Sequence, residues 1–156
     1  MSLPFAVIIA GGEGQRLGGV RKAELSIGGL RLIDRVAQRL GAVAPPLLVA
    51  TGHGRLPCGN HIAIGDLNDR YGGPLAGLAA AVDWLTAQGI SDGLLASIAV
   101  DTPFLPPDFI AVMARALDNQ PAVFAGWGEA FYPPNAVWQL SAIATLPAQV
   151  RAGTAP

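Results

Sequence analysis

The amino-acid sequence predicts an α/β protein with a mostly parallel central sheet flanked by helices. Six consecutive apolar residues at 5–10 are typical of a strand buried on both faces, as strands of parallel sheets are. Further apolar runs alternate with stretches of helical periodicity, which indicates βαβ units. Polar and charged residues follow three of the apolar runs, at the sheet edge where open α/β proteins bind their ligands.

Each apolar run predicts one strand, and the expected strands are residues 5–10, 47–50, 61–64, 94–100 and 122–125. Apolar residues at helical spacing predict the helices, which are expected at 32–40, 75–85, 106–117 and 139–146. Pro74 is suited to the first turn of the second helix. Residues 23–27 are expected to continue a loop that ends in a turn at Gly28 and Gly29.

The composition excludes several classes of protein. With 51% apolar and 13% charged residues, the 156 residues are expected to form one domain, 1–156. The net charge of −1 gives no overall attraction to nucleic acid or to an anionic membrane. The single cysteine, Cys58, excludes an internal disulfide. Neither a signal peptide nor a membrane span is expected, so a cytoplasmic location is predicted.

A glycine-rich segment follows the first strand and contains Gly11, Gly12, Gly14, Arg16 and Lys22. Glycines let backbone N–H groups approach a ligand without a Cβ in the way, and such donors beside two cations suit a polyphosphate. The planar guanidinium of Arg16 is suited to terminal phosphate oxygens, and the Lys22 ammonium to a phosphoryl group whose charge shifts. The alternative is a glycine-rich surface turn, because the spacing matches neither a dinucleotide-binding motif nor a P-loop.

Two carboxylates and one further glycine follow later strands. Asp101 suits Mg²⁺, which takes one or two carboxylates together with phosphate oxygens and water, and the alternative is an Asx turn before Pro103. Asp66 is suited to accept hydrogen bonds from a base edge or a ribose hydroxyl, and the alternative is plain turn chemistry. Gly73 places backbone N–H groups at a helix start, where an anion or nucleotide is readily bound.

Other residues carry weaker signals. Arg21 is expected to be a solvated cation and Asp108 a helix-start residue. His53 follows no ligand spacing and is expected to be structural or merely exposed. Trp138 is expected to pack from a helical position, and Tyr132 to flank a loop.

Three spaced motifs resemble those of the molybdenum cofactor guanylyltransferase family. They are Ile9-Ala10-Gly11-Gly12-x-Gly14-x-Arg16-Leu17-Gly18-Gly19-x-x-Lys22, Gly73-Pro74-Leu75-Ala76-Gly77 and Val100-Asp101-Thr102-Pro103-Phe104-Leu105-Pro106-Pro107-Asp108. The resemblance implies a three-layer Rossmann-like nucleotidyltransferase fold. It also implies transfer of GMP from GTP to molybdenum-bearing molybdopterin, with pyrophosphate as second product and Mg²⁺ as cofactor. By position, the implied GTP contacts are Ile9, Ala10, Gly11, Lys22, Asp66 and Asp101, and Asp101 is also the implied metal ligand.

The sequence leaves other functions open besides guanylyl transfer. The cytidylyltransferase of the same cofactor pathway has Ala-Ala-Gly where this chain has Ala10-Gly11-Gly12, which favours guanine. Other small nucleotidyltransferases and a non-catalytic nucleotide-binding module are the remaining alternatives. Two features of the family are not found: an asparagine after the second strand, where Gly52 and His53 stand, and a C-terminal Asn-x-Asn-Thr-Pro-like segment. The expected partners are GTP, molybdopterin and molybdoenzyme-maturation proteins, with neither nucleic acid nor membrane.

Overall fold

The computed structural model describes residues 2–12 and 20–156. The elements follow in the order β1 (Phe5–Ile9), β2 (Ser26–Ile27), β3 (Leu30–Arg31), α1 (Leu32–Arg39), β4 (Leu48–Gly52), β5 (Ile62–Gly65), α2 (Gly73–Ala87), β6 (Leu94–Ala99), α3 (Phe109–Leu117), β7 (Ala122–Trp127), β8 (Ala130–Gln139) and α4 (Leu146–Ala152), with short 3-10 helices at Lys22–Glu24 and Leu140–Ala142. None of the helices in these described ranges is long and apolar enough to cross a membrane.

A six-stranded sheet forms the middle layer, with the strand order β5-β4-β1-β6-β8-β7. The first four of these strands are mutually parallel, and β8 runs antiparallel to both β6 and β7. The predicted α/β class with a mostly parallel central sheet is therefore confirmed. The sheet order places β1 in the interior, with β4 and β6 on either side.

Two hydrophobic clusters cover the two faces of this sheet. Ala6 and Ile8 of β1 pack with α1 and α3 in one cluster. Val7 and Ile9 pack with α2 and α4 in the other. Side chains of a strand alternate between faces, so the unbroken apolar run of β1 is explained by burial on both sides.

The helix α2 approaches the sheet closely at Gly77, which has no side chain. A Cβ added at Gly77 would lie 2.9 Å from Ala50 Cβ and 3.0 Å from Ile9 Cδ1. Pro74 occupies the first turn of the helix, as the sequence predicts. The result is a helix whose N-terminal end is held against the carboxyl ends of β1 and β4.

The C-terminal part of the sheet differs from the sequence prediction. The helix expected at 139–146 is wrong: β8 ends at Gln139, a short 3-10 helix follows, and the last α-helix is Leu146–Ala152. Trp138 accordingly packs from a strand, not from a helix. The strand β8 escaped the sequence pattern because Pro133 and Pro134 stand in its middle, where proline normally argues against a paired strand.

A small hairpin formed by β2 and β3 was expected to be loop. Ser26 pairs with Arg31 and Ile27 with Leu30. The two residues between them, Gly28 and Gly29, both have positive φ, as a two-residue hairpin turn of type I′ requires. The turn itself was therefore predicted correctly, and only its flanking pairs were missed.

Candidate functional site

Three separate segments of the chain meet at the carboxyl edge of the parallel strands. They follow β1, β5 and β6, and they carry Gly11 and Gly12, Asp66, and Asp101. Two adjoining cavities open there, of about 460 Å³ and about 280 Å³. Both cavities are lined by Ile9, Gly11, Gly12 and Gly73, so they form one continuous cleft.

The larger cavity, here called the Asp66 cavity, is lined by Ile9, Gly11, Gly12, Arg21, Ala50, Gly52, His53, Gly54, Arg55, Asp66, Gly72, Gly73 and Gly77. The Asp66 side chain is only 5% exposed. Burial raises the pKa of this carboxyl group, and the nearby His53 opposes that shift. The Asp66 backbone N–H donates to the Gly52 carbonyl over 3.1 Å, which fixes where the carboxylate enters the cavity.

His53, which the sequence predicts to be structural or merely exposed, lies at the wall of the Asp66 cavity. Its Nε2 lies 3.4 Å from Asp66 Oδ2, and its Nδ1 lies 3.4 Å from Asp69 Oδ1. The imidazole is half exposed and lines the cleft. The half-exposed side chain agrees with that expectation, but its contacts with two carboxylates were not foreseen, because its partners lie in a loop after the neighbouring strand and no spacing along the chain reveals that pairing.

Arg21 was interpreted wrongly, as a solvated cation. Its guanidinium donates to the Arg55 carbonyl over 2.7 Å and to the Thr51 carbonyl, and it lines the Asp66 cavity. These two bonds tie the segment before Lys22 to the end of β4 and to the loop after it. Arg21 therefore closes one wall of the cleft.

The floor of the cleft depends on a close approach between two glycines. A Cβ added at Gly11 would lie 3.2 Å from both the Cα and the N of Gly52. Such contacts are tighter than a side chain normally tolerates, so the backbone after β1 and the backbone at the end of β4 meet only because both residues lack a Cβ. Gly11 is therefore required for the shape of the floor.

The smaller cavity, here called the Asp101 cavity, contains the site's oppositely charged pair. It is lined by Ile9, Gly11, Gly12, Lys22, Gly73, Pro74, Ala99, Val100, Asp101 and Pro134. The Lys22 Nζ lies 3.2 Å from Asp101 Oδ2, and both side chains are about half exposed. Lys22 begins a 3-10 helix, and Asp101 follows β6 in a turn where Thr102 Oγ1 donates to the Ala99 carbonyl over 2.6 Å.

The donor set around Asp101 suits a particular kind of metal site. Within the described part of the chain, no group of three or more His, Cys, Asp or Glu side chains is arranged to hold a metal ion. A single carboxylate beside an open, glycine-walled cavity fits Mg²⁺, which is commonly held by one or two carboxylates together with substrate phosphates and water. It does not fit a closed zinc site, which takes four protein ligands.

Most of the predicted site residues meet in this cleft. Gly11, Gly12, Lys22, Gly73 and Asp101 line the smaller cavity, and Asp66 lines the larger one. Ile9 lines both cavities. Ala10 lies beneath the cleft, buried, with its N–H donating to the Ala50 carbonyl over 2.8 Å. That amide is consequently engaged within the sheet.

Two of the predicted residues cannot be placed. Gly14 and Arg16 lie outside the described residues, so their proposed contacts with phosphate stay predictions from the sequence.

The fold and the cleft together are typical of α/β nucleotide-binding proteins, which bind their ligands at the carboxyl edge of the sheet. The family model described as "MobA-like NTP transferase domain" matches residues 6–154. The chain belongs to this family of nucleotidyltransferases.

Curated relatives agree with this assignment. A molybdenum cofactor guanylyltransferase from Cereibacter sphaeroides is 36% identical over 153 residues, covering 97% of this chain and 77% of that protein. An enzyme of the same name from Acidiphilium cryptum is 39% identical over 145 residues, covering 90% of this chain and 69% of that protein.

Solved structures share the fold at lower sequence identity. Molybdopterin-guanine dinucleotide biosynthesis protein A from Archaeoglobus fulgidus superposes with a TM-score of 0.69 at 20% identity, covering 95% of this chain and 73% of that one. The 2-C-methyl-D-erythritol 4-phosphate cytidylyltransferase from Thermus thermophilus gives a TM-score of 0.58 at 18% identity, covering 100% and 80%. The same fold thus occurs in proteins named for different nucleotides.

Proposed function

We propose that this chain is a molybdenum cofactor guanylyltransferase, which transfers GMP from GTP to molybdopterin and releases pyrophosphate. The observation that carries the proposal is the single cleft that contains the Lys22–Asp101 pair at one end and the buried Asp66 at the other. Relatives of that name at 36% and 39% identity support guanine as the base.

The proposed reaction is a displacement at phosphorus. A phosphate oxygen of the acceptor forms a bond to the α-phosphorus of GTP. The bond from the α-phosphorus to the oxygen that bridges it to the β-phosphate breaks, and pyrophosphate leaves with that electron pair. Because the protein forms no covalent bond, its contribution is positioning and charge stabilisation.

The two cavities divide the nucleotide between them in this proposal. The Asp66 cavity takes the nucleoside, because the buried carboxylate accepts hydrogen bonds from N–H or O–H groups of a base or ribose. The Asp101 cavity takes the phosphates, since Lys22 supplies a positive charge and Gly11, Gly12 and Gly73 leave the backbone open to approach.

The ammonium of Lys22 would stabilise the charge that develops around the α-phosphate, and Arg16 with Gly14 would hold the leaving pyrophosphate. We further propose that Asp101 holds Mg²⁺ together with phosphate oxygens. When bound there, the ion supplies Lewis-acid stabilisation of phosphate charge. With nucleotide bound, Lys22 would pair with phosphate and Asp101 would hold the cation.

We also infer a cytoplasmic location, where GTP is supplied, and contact with proteins that take up the finished cofactor.

The deciding experiment is a transfer assay with purified protein, GTP, Mg²⁺ and molybdopterin. We expect stoichiometric release of pyrophosphate and formation of the guanine dinucleotide, both slowed by about 10²–10³-fold in the Lys22→Met variant. Tight GTP binding without transfer would instead identify a non-catalytic nucleotide-binding module. Faster transfer from CTP than from GTP would identify a cytidylyltransferase.

A further inference from the structure

We propose that Asn135 is a positioning residue for Asp101, acting through the backbone of Ala99. The inference rests on the proposed function, which assigns Asp101 to the metal and phosphate end of the cleft. Asn135 belongs to none of the three motifs and does not touch the Lys22–Asp101 pair.

The contact that carries the proposal is a buried side-chain hydrogen bond. The Asn135 side chain lies in β8 and is almost completely buried, with 4% of the residue exposed. Its Oδ1 accepts a hydrogen bond from the Ala99 backbone N–H over 2.7 Å. Ala99 ends β6 and lies two residues before Asp101.

The Ala99 N–H needs a side-chain acceptor because the backbone of β8 is no longer paired with β6 at this point. The two strands are paired only as far as Ser97 and Ala136. In the pairing with β7, the register of β8 then jumps from Ala136 to Tyr132, which leaves Pro133, Pro134 and Asn135 bulged out. In this bulge no β8 backbone pairing reaches Ala99, and the Asn135 Oδ1 accepts from the Ala99 N–H in place of a strand carbonyl.

The hydrogen bonds around Ala99 connect Asn135 to the turn that carries Asp101. The Ala99 carbonyl accepts from the N–H of Thr102 over 3.2 Å and from its hydroxyl over 2.6 Å. The Val100 N–H donates to the Ile9 carbonyl over 3.1 Å. The turn that carries Asp101 is therefore anchored to β1 on one side and, through Asn135, to β8 on the other.

Asp101 needs this anchoring because its own side chain is not held by packing. It is 53% exposed, and its contact is with Lys22, whose long side chain is about as exposed and has several rotatable bonds. The direction of the carboxylate into the cleft is consequently set by the backbone turn. Removing the Asn135 acceptor leaves the partly buried Ala99 N–H without its partner, which favours a shift of the turn.

The test compares Mn²⁺ binding to the GTP-bound protein, measured by electron paramagnetic resonance, in the wild type and in Asn135→Leu. Leucine keeps the branching and the number of side-chain heavy atoms of asparagine and removes the acceptor. We expect the Mn²⁺ dissociation constant to rise about 10- to 100-fold, as for other residues that orient a metal ligand. GTP affinity without metal should change less than about twofold. Hydrogen exchange at Ala99 should become faster.

Two further variants separate positioning from general stability. Asn135→Asp keeps an acceptor oxygen in the same place and is expected not to weaken Mn²⁺ binding. Ser97→Ala is the matched control, because it removes the hydrogen bond from Trp138 Nε1 to Ser97 Oγ, 3.0 Å long, that joins the same two strands. It should leave Mn²⁺ affinity unchanged. If Asn135→Leu does not melt cooperatively, Asn135→Ser replaces it, since the shorter hydroxyl does not reach Ala99.

The outcomes discriminate clearly. Unchanged Mn²⁺ affinity in Asn135→Leu, or an equal loss in Asn135→Leu and Ser97→Ala, would overturn the positioning role. Intact Mn²⁺ binding with no guanylyl transfer in the wild type would overturn the proposed function. The Mn²⁺ affinities of the Asn135 variants would then still decide the positioning role. A wild type that binds no Mn²⁺ with GTP would overturn both.

Discussion

Lys22 Nζ lies 3.2 Å from Asp101 Oδ2, so the ion pair joins the end of the glycine-rich segment to the turn after β6. The two side chains are 49% and 53% exposed. Exposed ion pairs contribute about 0–1 kcal/mol to stability, so this pair does little to hold the fold. Each partner instead presents a charge at the cleft wall that a ligand of opposite charge can take over.

We predict that Lys22→Met and Asp101→Asn each slow guanylyl transfer by about 10²–10³-fold, because loss of one preorganised charge contact typically has that effect on rate. The melting temperature should change by no more than a few degrees, since the pair is exposed. The measurement is pyrophosphate release at saturating GTP, beside a thermal melt of each variant.

The Arg151–Asp83 pair provides the matched control for that experiment. Its Nη1–Oδ1 distance is 2.8 Å, it is similarly exposed, and it lies outside the cleft, on α4 and α2. Arg151→Met should therefore leave transfer unchanged. Near-normal turnover in Lys22→Met would show that the lysine has no role in the chemistry.

The base preference gives a second prediction. GTP with Mg²⁺ should raise the melting temperature, and CTP should raise it much less. A ligand present at about 100 times its dissociation constant adds about 2.7 kcal/mol to the free energy of unfolding, which a thermal-shift assay detects easily. Equal shifts with the two nucleotides would contradict the guanine assignment.

The sheet edge and its chemistry could be predicted because they follow from local sequence. The apolar run of β1 identifies a strand buried on both faces, and the glycines after it identify a close backbone approach. Parallel strands bring their carboxyl ends to one edge, so Lys22, Asp66 and Asp101 were predicted to converge without knowledge of the strand order.

The other features of the fold and the cleft depend on contacts between residues far apart in the chain, which no local sequence pattern reveals. His53 reaches Asp66 only because Gly52 pairs with Gly65 in the register of β4 and β5. Arg21 acts through two carbonyls about thirty residues along the chain. The β8 strand is hidden by its two prolines, and the bulge they create gives Asn135 its contact with Ala99.

A third prediction concerns the packing of α2. In Gly77→Ala, the added Cβ would lie 2.9 Å from Ala50 Cβ and 3.0 Å from Ile9 Cδ1, so the helix must move away from the sheet. Overpacking of this kind typically lowers the free energy of unfolding by about 1–3 kcal/mol. Because Ile9 also lines the cleft, GTP affinity should fall as well. Chemical denaturation and nucleotide titration measure the two effects.

Gly126→Ala is the control for the packing prediction. A Cβ at Gly126 would meet the Ala130 carbonyl oxygen at 3.5 Å, an ordinary contact distance, and the residue lies in β7 away from α2. This variant should retain wild-type stability within about 0.5 kcal/mol. If Gly77→Ala is equally stable, the sheet accommodates the methyl group and the close approach is not required.

The last prediction uses the buried carboxylate of Asp66 and the pH. Burial raises its pKa above the ordinary value of 3.8, and His53 partly offsets the shift. A carboxyl group whose pKa is raised on folding favours the folded state fully below its unfolded pKa, and this contribution is lost as the pH rises through the folded pKa. The Asp66→Asn side chain does not titrate, so this variant does not lose stability in that way as the pH rises. Without nucleotide, its melting temperature relative to wild type should therefore increase as the pH is raised from about 4 towards neutral.

The same substitution should weaken GTP binding at neutral pH, because an amide oxygen is a weaker acceptor than the carboxylate. His53→Asn supplies the complementary control. Without the imidazole, nothing opposes the effect of burial on the Asp66 pKa. The loss of stability with rising pH should therefore be larger in this variant than in the wild type, and it should occur at higher pH. Melting curves of the wild type and both variants across this pH range test the argument. A difference between Asp66→Asn and wild type that does not change with pH would mean that the Asp66 carboxyl group titrates normally in the folded protein. Burial of the Asp66 side chain, which is 5% exposed, would then not disfavour its charged form. Nucleotide binding would have no such penalty to relieve.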